Sequence, residues 1–292
     1  MKTIYYYPLL IVLLISFSCQ EKRGGDNLAT DIVQLIPMPN KIKVGQDSLD
    51  ISSGLKLNFK ELNPEVKNNL TTYLKSTAVN ISDYGVEASF SLNNSNYADS
   101  LDESYQIFVN RNGIKIWAVS EAGLFYAIQT LIQLIEKNPD KLTYIEIEDT
   151  PRFAYRGMHI DVSRHFFSPD FLKKQIDLMA HYKLNRFHWH LTDGPGWRIE
   201  IKKYPELTDI AAWRTRSLWK EWWTSGRKYT NEGDTNAYGG YYTQEEAKEL
   251  VEYAAKRHVT IIPEIEMPGH SEEVLAVYPQ LSCTGKPYTS SE

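Results

Sequence analysis

The second half of the chain repeats a pattern of apolar strand, amphipathic helix and apolar strand. Strand-like runs cover 157–162, 185–191 and 259–265, and helical patterns cover 168–182 and 243–256. Strands that are joined through helices pair in parallel, and the last run is apolar enough for a strand buried on both faces. The pattern therefore predicts a parallel α/β sheet.

The interval between the second strand and the second helix is unusually long. It covers 192–242, about ten times the length of a typical connection, and it holds five of the seven tryptophans. Long loops that follow barrel strands are where α/β barrels build their sites. The interval therefore predicts an insertion on the active face of the sheet.

The first half of the chain has a different pattern of short strands and two helices. Alternating runs at 56–59 and 86–92 are typical of half-buried strands, and two further runs flank Asn112-Gly113, a hairpin signal. Helical spacing covers 64–74 and the residues that follow Ser120, a capping residue. These patterns predict a small α+β domain over 32–150, with no reactive group of residues in it.

The N-terminus has the pattern of an export signal. A basic start at Lys2 precedes an apolar run over 9–17, which is too short to cross a membrane. Ser18 then precedes Cys19, which resembles a bacterial lipoprotein signal whose cysteine becomes lipidated. We expect a signal over 1–19, a tether over 20–31 and a lipid anchor in a bacterial cell envelope. A plain secretion signal and an uncleaved anchor are the alternatives.

The overall charge and the cysteine content exclude two classes of protein. The chain has 32 Lys and Arg against 37 Asp and Glu, a net charge of −5, so it lacks the basic surplus of a nucleic-acid-binding protein. Two cysteines are too few for a disulfide framework.

Polar side chains follow each of the three predicted strands of the parallel sheet. In a barrel the ends of such strands are neighbours on one rim, so we expect side chains that are distant in sequence to converge there. The candidates are Asp161, Arg164 and His165 after the first strand, His190, Asp193 and Trp197 after the second, and Glu264, Glu266 and His270 after the third.

Three motifs at these strand ends resemble one family in wording, order and spacing. They are RGMHIDVSRHF at 156–166, HWHLTD followed by GWR at 188–198, and PEIEMPGH at 263–270. They resemble glycoside hydrolase family 20, the β-N-acetylhexosaminidases. The resemblance implies a (β/α)8 TIM barrel, of which 151–292 would supply the first three strands, preceded by a small α+β accessory domain. We expect the chain to be the front part of a longer protein.

The resemblance also implies roles for particular residues. Arg164 would hydrogen-bond hydroxyls of a terminal N-acetylhexosamine, and Asp193 and His270 would form a relay to a general-acid glutamate. From their positions on the active face, and not from the resemblance, we also expect Trp197 and Glu264 to contact substrate. In this family the acetamido oxygen of the substrate itself attacks the anomeric carbon, and configuration is retained. The implied activity releases terminal GlcNAc or GalNAc from glycans without a metal or cofactor.

The chain departs from the family pattern in two places, the first a subfamily difference and the second a departure that bears on catalysis. Gly194 stands where many members have a second Asp. The adjacent Asp-Glu pair of the family is missing, because the only Asp-Glu dipeptide is Asp102-Glu103 in the first domain. We therefore expect the 292-residue chain to lack hydrolytic activity.

Several interpretations stay open at the level of sequence. The chain could be a carbohydrate-binding relic without catalysis, or His188 and His190 could belong to a metal-dependent hydrolase. Asp161 could be structural, and one of Glu264 and Glu266 could line the pocket while the other forms an ion pair. The tryptophans could pack internally or form platforms for sugar rings. The oligomeric state is left undefined.

Overall fold

A computed structural model of the protein describes residues 34–92 and 102–286. The predicted signal, tether and lipidation site at Cys19 lie outside the described residues. Within the described part of the chain, no helix combines the length and apolar character that a membrane span requires.

The first half forms a mixed six-stranded sheet with two helices. The sheet has the order β1-β6-β4-β5-β3-β2, in which β2, β3 and β5 run parallel and the other neighbouring pairs are antiparallel. The elements are β1 (Lys41–Asp50), β2 (Leu55–Phe59), α1 (Pro64–Lys75), β3 (Val86–Leu92), β4 (Tyr105–Asn110), β5 (Gly113–Ala118), α2 (Glu121–Lys137) and β6 (Lys141–Asp149). The predicted α+β character is confirmed.

Local sequence signals explain where these elements begin and turn. The hairpin between β4 and β5 turns at Gly113, whose φ is +116° and whose added Cβ would lie 2.5 Å from the carbonyl oxygen of Glu87. A side chain therefore cannot be accommodated there. Ser120 caps α2 by accepting a hydrogen bond from the backbone N–H of Gly123 at 3.1 Å. The predicted hairpin and cap are both confirmed.

The second half contains a three-stranded parallel sheet in the order β13-β8-β7. Its strands and the two long helices that connect them are β7 (Gly157–Asp161), α3 (Pro169–His181), β8 (Arg186–His190), α6 (Gln244–Ala255) and β13 (Thr260–Glu264). Apolar side chains of strands and helices, among them Phe187, Trp189, Ile176 and Leu250, share one buried core. The predicted α/β architecture of a partial barrel is confirmed.

The long interval after β8 folds into short elements. They are β9 (Thr192–Asp193), β10 (Gly196–Trp197), α4 (Glu206–Asp209), β11 (Trp213–Arg214), α5 (Trp219–Thr224) and β12 (Tyr238–Gly239). Two fully buried arginines, Arg198 and Arg214, donate to backbone carbonyls of this region and of the loop after β7. A further helix, α7 (Glu272–Val277), follows β13.

A buried polar contact joins the two sheet regions. Lys183, in the turn after α3, donates from Nζ to the hydroxyl of Tyr105 at 2.7 Å, and that hydroxyl donates to Asp149 Oδ2 at 2.7 Å. Burial, the largest influence, lowers the pKa of Lys183 to about 8 despite the neighbouring carboxylate.

Candidate active site

The register of the parallel sheet aligns three ionisable side chains. His190 pairs with Asp161 on one side and with Glu264 on the other, each at the carboxyl end of its strand. His190 Nδ1 lies 2.7 Å from Glu264 Oε2, and its Nε2 lies 3.2 Å from Asp193 Oδ2. The hydrogen bond to Asp193 is the main cause that raises the pKa of His190 to about 9, and Glu264 adds to it against the effect of burial. The two carboxylates thus favour the cationic form of this imidazole.

Asp193 is the centre of the site. Its Oδ2 lies 2.6 Å from Arg164 Nη2 and 2.9 Å from His270 Nδ1, and its Oδ1 accepts from the backbone N–H of Gly194 at 2.8 Å. Burial by itself raises the pKa of Asp193, but hydrogen bonds from His190 and His270 and the charge of Arg164 hold it below its ordinary value. The carboxylate therefore stays ionised and unites residues from three strand ends.

Arg164 is fixed by the turn that follows β7. Asp161 Oδ1 accepts from the backbone N–H groups of Ser163 and Arg164 at 2.9 and 3.0 Å, and its Oδ2 lies 2.9 Å from Arg164 Nη1. The guanidinium is thus held between two carboxylates, those of Asp161 and Asp193. Because its donors are coplanar and permanently charged, it can present a fixed set of hydrogen bonds to hydroxyl groups.

His270 extends from the loop after β13 over Asp193. Its backbone lies in the left-handed region with φ of +54°, and its side chain is well exposed. Such a conformation in a residue other than glycine is concentrated at functional sites. With Nδ1 hydrogen-bonded to a carboxylate, the neutral ring carries its proton on Nδ1 and presents Nε2 as a base.

These side chains lie at one open cleft of about 810 Å³. Arg164, Asp193 and His270 line it together with Asp161, and Glu272 of α7 completes the polar side. Trp219 and Trp223 of α5 line the same cleft. The long interval after β8 therefore forms one wall of the site.

Trp197 is not brought to this cleft. Its ring is buried against Leu207 and Ala211, its Nε1 donates to the carbonyl of Ile199 at 2.5 Å, and it lines a separate apolar cavity of about 680 Å³. The short hairpin of β9 and β10 directs the ring towards α4 and α7. The expectation that Trp197 contacts substrate is thus not supported by its position.

Glu264 also lies outside the lining of the cleft. Its Oε2 lies 2.5 Å from His188 Nε2 and 2.7 Å from His190 Nδ1, so Glu264 is the ion-paired member of the two glutamates after β13. Glu266 is held by its backbone N–H, which donates to Thr192 Oγ1 at 2.9 Å. Glu264 is therefore connected to Asp193 through His190.

Four residues that position the site were not expected from the sequence. Ser163 Oγ lies 2.9 Å from the carbonyl oxygen of Asp193 and 2.8 Å from that of Gly196, which ties the loop after β7 to the β9–β10 hairpin. Arg198 and Arg214 donate to carbonyls of the loop after β7, at Ser163 and Arg164. Glu272 reaches back over Gly194. Ser163 and Arg198 carried a signal, since each belongs to one of the family motifs.

One group of described side chains has the geometry to hold a metal ion. One potential ligand atom from each of His159, His190 and Glu264 lies within 4.8 Å of the other two. Imidazole and carboxylate groups suit zinc and similar ions. Here the two ring nitrogens of His190 are already hydrogen-bonded to carboxylates.

Comparison with known proteins identifies the class to which this fold and site belong. The family model described as glycosyl hydrolase family 20, catalytic domain, matches residues 153–292, and that described as domain 2 of the same family matches 33–150. The chain belongs to glycosyl hydrolase family 20.

The chain is also similar to individual proteins of known name. The chain is 35% identical to a β-hexosaminidase of Porphyromonas gingivalis, over 97% of this chain and 37% of that protein. It is 37% identical to a β-hexosaminidase of Vibrio furnissii, over 93% of this chain and 44% of that protein. The crystal structure of an exo-β-N-acetylglucosaminidase from Vibrio harveyi with N-acetylglucosamine matches with a TM-score of 0.68 and 35% identity, over 86% of this chain and 38% of that one. The chain thus spans about two fifths of the length of these proteins.

Proposed function

We propose that this chain supplies the sugar-binding side of a retaining exo-β-N-acetylhexosaminidase that releases terminal GlcNAc or GalNAc from glycans. The observation that carries the proposal is the shared carboxylate of Asp193, which contacts both Arg164 and His270 at one cleft. Family membership and relatives named β-hexosaminidase support the same reaction class.

Arg164 is proposed to bind hydroxyls of the terminal amino sugar. Its guanidinium is held by Asp161 and Asp193, so its remaining N–H donors meet substrate without first having to be ordered. A site that hydrogen-bonds substrate hydroxyls strongly rejects ligands that lack them, because its polar groups are then left unpaired. This supports selectivity for a sugar with free hydroxyls at the bound positions.

Asp193 and His270 are proposed to act as a relay to a general-acid glutamate. Asp193 fixes the proton of His270 on Nδ1, so Nε2 can hold and orient a carboxylic acid and adjust its pKa. The substrate's acetamido oxygen would then attack the anomeric carbon as the acid protonates the leaving oxygen. Water opens the cyclic oxazolinium ion in the second step, so the configuration is retained.

The Asp-Glu pair within the chain is not proposed as the catalytic pair. Glu103 Oε2 lies 2.7 Å from Arg156 Nη2, and Asp102 Oδ1 accepts from the backbone N–H of Ser104 at 2.9 Å. Asp102 is thus engaged within the first domain, and Glu103 pairs with a residue of the second half of the chain. We expect the 292-residue chain to bind the amino sugar without hydrolysing its glycosides.

Two measurements test this proposal. The 292-residue chain should bind N-acetylglucosamine in titration calorimetry, and Arg164→Met should weaken this binding at least tenfold. The protein isolated from the cells that make it should hydrolyse 4-nitrophenyl N-acetyl-β-glucosaminide with release of the β-anomer, as followed by NMR. Absence of binding, or release of the α-anomer, would overturn the proposal.

The alternatives make different predictions in the same assays. A binding relic would take up the sugar, but the protein from its natural source would not hydrolyse the chromogenic glycoside. A metal-dependent hydrolase using His159, His190 and Glu264 would lose activity in EDTA and regain it with zinc. The proposed substrate-assisted enzyme would keep its activity in EDTA.

We further propose that the protein is exported and anchored in a bacterial cell envelope through lipid on Cys19. The support is the sequence of the first nineteen residues alone. Mass spectrometry of the protein from its native cells should find a lipid-modified N-terminal Cys19. An unmodified N-terminus at another residue would overturn this assignment.

A further inference from the structure

We propose that Trp219 and Trp223 of α5 form an aromatic platform for a second sugar ring, the one to which the terminal amino sugar is linked. This inference rests on the proposed function, because it places the terminal ring at Arg164, Asp193 and His270. It assigns the Trp-rich interval a role in recognising the rest of the glycan.

The two rings are presented together by the geometry of α5. Residues four apart lie on the same face of a helix, so Trp219 and Trp223 are neighbours. Both are partly exposed, at 40% and 43%, and both line the cleft. Trp222, between them in sequence, is fully buried.

Trp222 anchors the short helix and so fixes the platform. Its Nε1 donates to the carbonyl of Lys228 at 3.0 Å, and its ring centroid lies 5.4 Å from that of Tyr229. The hydroxyl of Tyr229 in turn donates to the carbonyl of Gly194, next to Asp193, at 2.5 Å. The helix that carries the exposed rings is thus tied to the polar centre of the site.

A second connection runs through charged side chains. The Arg227 guanidinium lies over the Trp223 ring, with Cζ 3.4 Å from the ring centroid, and Arg227 Nη1 lies 3.5 Å from Glu272 Oε1. The Glu272 carboxylate fills the space above Gly194, where an added Cβ would lie 2.5 Å from Glu272 Oε2. Because residue 194 lacks a side chain, Glu272 can lie beside Asp193 and hold Arg227 against the platform.

The chemistry of these walls favours a sugar chain as the occupant. The C–H faces of pyranose rings are apolar and stack on aromatic rings, while their edges carry hydroxyl groups. The cleft offers this combination, since two indoles stand beside Glu272, Asp161 and Arg164. With the hydroxyls of the terminal ring on the polar side, the Trp219 ring and the face of Trp223 that Arg227 does not cover are left for the adjoining ring.

The test compares a monosaccharide with a disaccharide on the 292-residue chain. Titration calorimetry with N-acetylglucosamine and with β-1,4-linked N,N'-diacetylchitobiose should show tighter binding of the disaccharide. Trp219→Ala and Trp223→Ala together should weaken disaccharide binding about tenfold, a loss of the size expected for aromatic stacking. Binding of the monosaccharide should change less than about twofold. Replacement of both residues by Phe should restore most of the disaccharide affinity.

The matched control is Trp117→Ala, which removes a tryptophan of similar exposure on β5 in the other sheet. It should leave binding of both sugars unchanged. Two results would overturn the platform and leave the proposed function standing. One is that wild-type protein binds the two sugars with equal affinity. The other is that the Trp219→Ala, Trp223→Ala double variant loses tenfold affinity for phenyl N-acetyl-β-glucosaminide and none for the disaccharide. Failure of the wild-type protein to bind either sugar would overturn the proposed function as well.

Discussion

The two sheets of the molecule use charged side chains in opposite ways. On the six-stranded sheet, Lys43 and Glu146 pair at 3.0 Å across β1 and β6, and their side chains are 79% and 53% exposed. At the parallel sheet, Arg164 and Asp193 pair at 2.6 Å with side chains that are 30% and 5% exposed. The distances are similar, but the surroundings differ.

This difference separates charges that solubilise a surface from charges that build a site. An exposed pair remains solvated and contributes little to stability. A largely buried carboxylate requires several compensating partners, and Asp193 has Arg164, His190, His270 and the N–H of Gly194. The protein maintains this costly arrangement at the cleft, where fixed charges can act on a ligand.

The largest expected effect in this comparison is that of Asp193→Ala. It removes the shared acceptor and leaves Arg164 and His190 partly uncompensated, so the free energy of unfolding should fall by roughly 3 kcal/mol. Binding of N-acetylglucosamine should be lost. Urea denaturation and calorimetry measure the two effects. A stability change below about 0.5 kcal/mol would show that Asp193 behaves like an exposed surface charge.

The effect of Glu273 on how protein stability depends on pH sharpens the comparison further. This residue of α7 is fully buried, its carboxyl oxygens have no hydrogen-bond partner among the described residues, and burial above all raises its pKa from 4.5 to about 8. A raised folded-state pKa means that the folded protein loses stability as the pH rises from 4.5 to about 8.

Glu273→Gln should therefore gain stability relative to the wild-type protein as the pH rises through this window, by up to about 1.4 kcal/mol per pH unit. Denaturation at pH 5 and pH 8 measures the difference. The exposed Glu252, 60% exposed at its side chain, provides the control, and its Gln variant should follow the wild-type curve. Parallel curves for Glu273→Gln and wild type would refute the account of this carboxyl group.

A smaller effect is expected from Gly194→Ala. The new Cβ would meet Glu272 Oε2 at 2.5 Å, and the flexible Glu272 side chain should swing away at a cost of about 1 kcal/mol or less. The swing should weaken the Glu272–Arg227 pair and lower disaccharide affinity about threefold, a change of about 0.6 kcal/mol. In a Glu272→Ala background the same substitution should have no further effect on affinity. A full additional loss there would show that the two residues act independently.

The smallest effect should come from the exposed pair itself. Lys43→Ala should leave the urea denaturation midpoint almost unchanged and sugar binding unchanged, because an exposed pair remains solvated. The same urea denaturation series measures it. A loss as large as that of Asp193→Ala would remove the distinction between the two regions.

The sequence contained most of what defines the polar side of the cleft. Arg164, Asp193 and His270 follow strands whose apolar patterns are strong, and the carboxyl ends of parallel strands meet at one edge. Their proximity therefore follows from local patterns together with one topological rule.

Other features depend on contacts that no local pattern encodes. β1 and β6 are a different case: they were not predicted individually, although charged and apolar residues alternate along β6 as in a half-buried strand, and β1 departs from regular pairing only at its register shift between Val44 and Ser48. The direction of the Trp197 ring is set by a two-residue strand, which is too short to have a periodicity. Arg214 is enclosed by carbonyls from distant parts of the chain, and Glu272 depends on the missing side chain at Gly194.

A crystal structure of the protein soaked with N-acetylglucosamine tests the central claim most directly. The account predicts one bound sugar, with ring hydroxyls within hydrogen-bond distance of the Arg164 guanidinium and with its acetamido group and anomeric carbon in the cleft formed by Asp193 and His270. A sugar bound elsewhere, or an empty cleft at a concentration that saturates binding in solution, would contradict it.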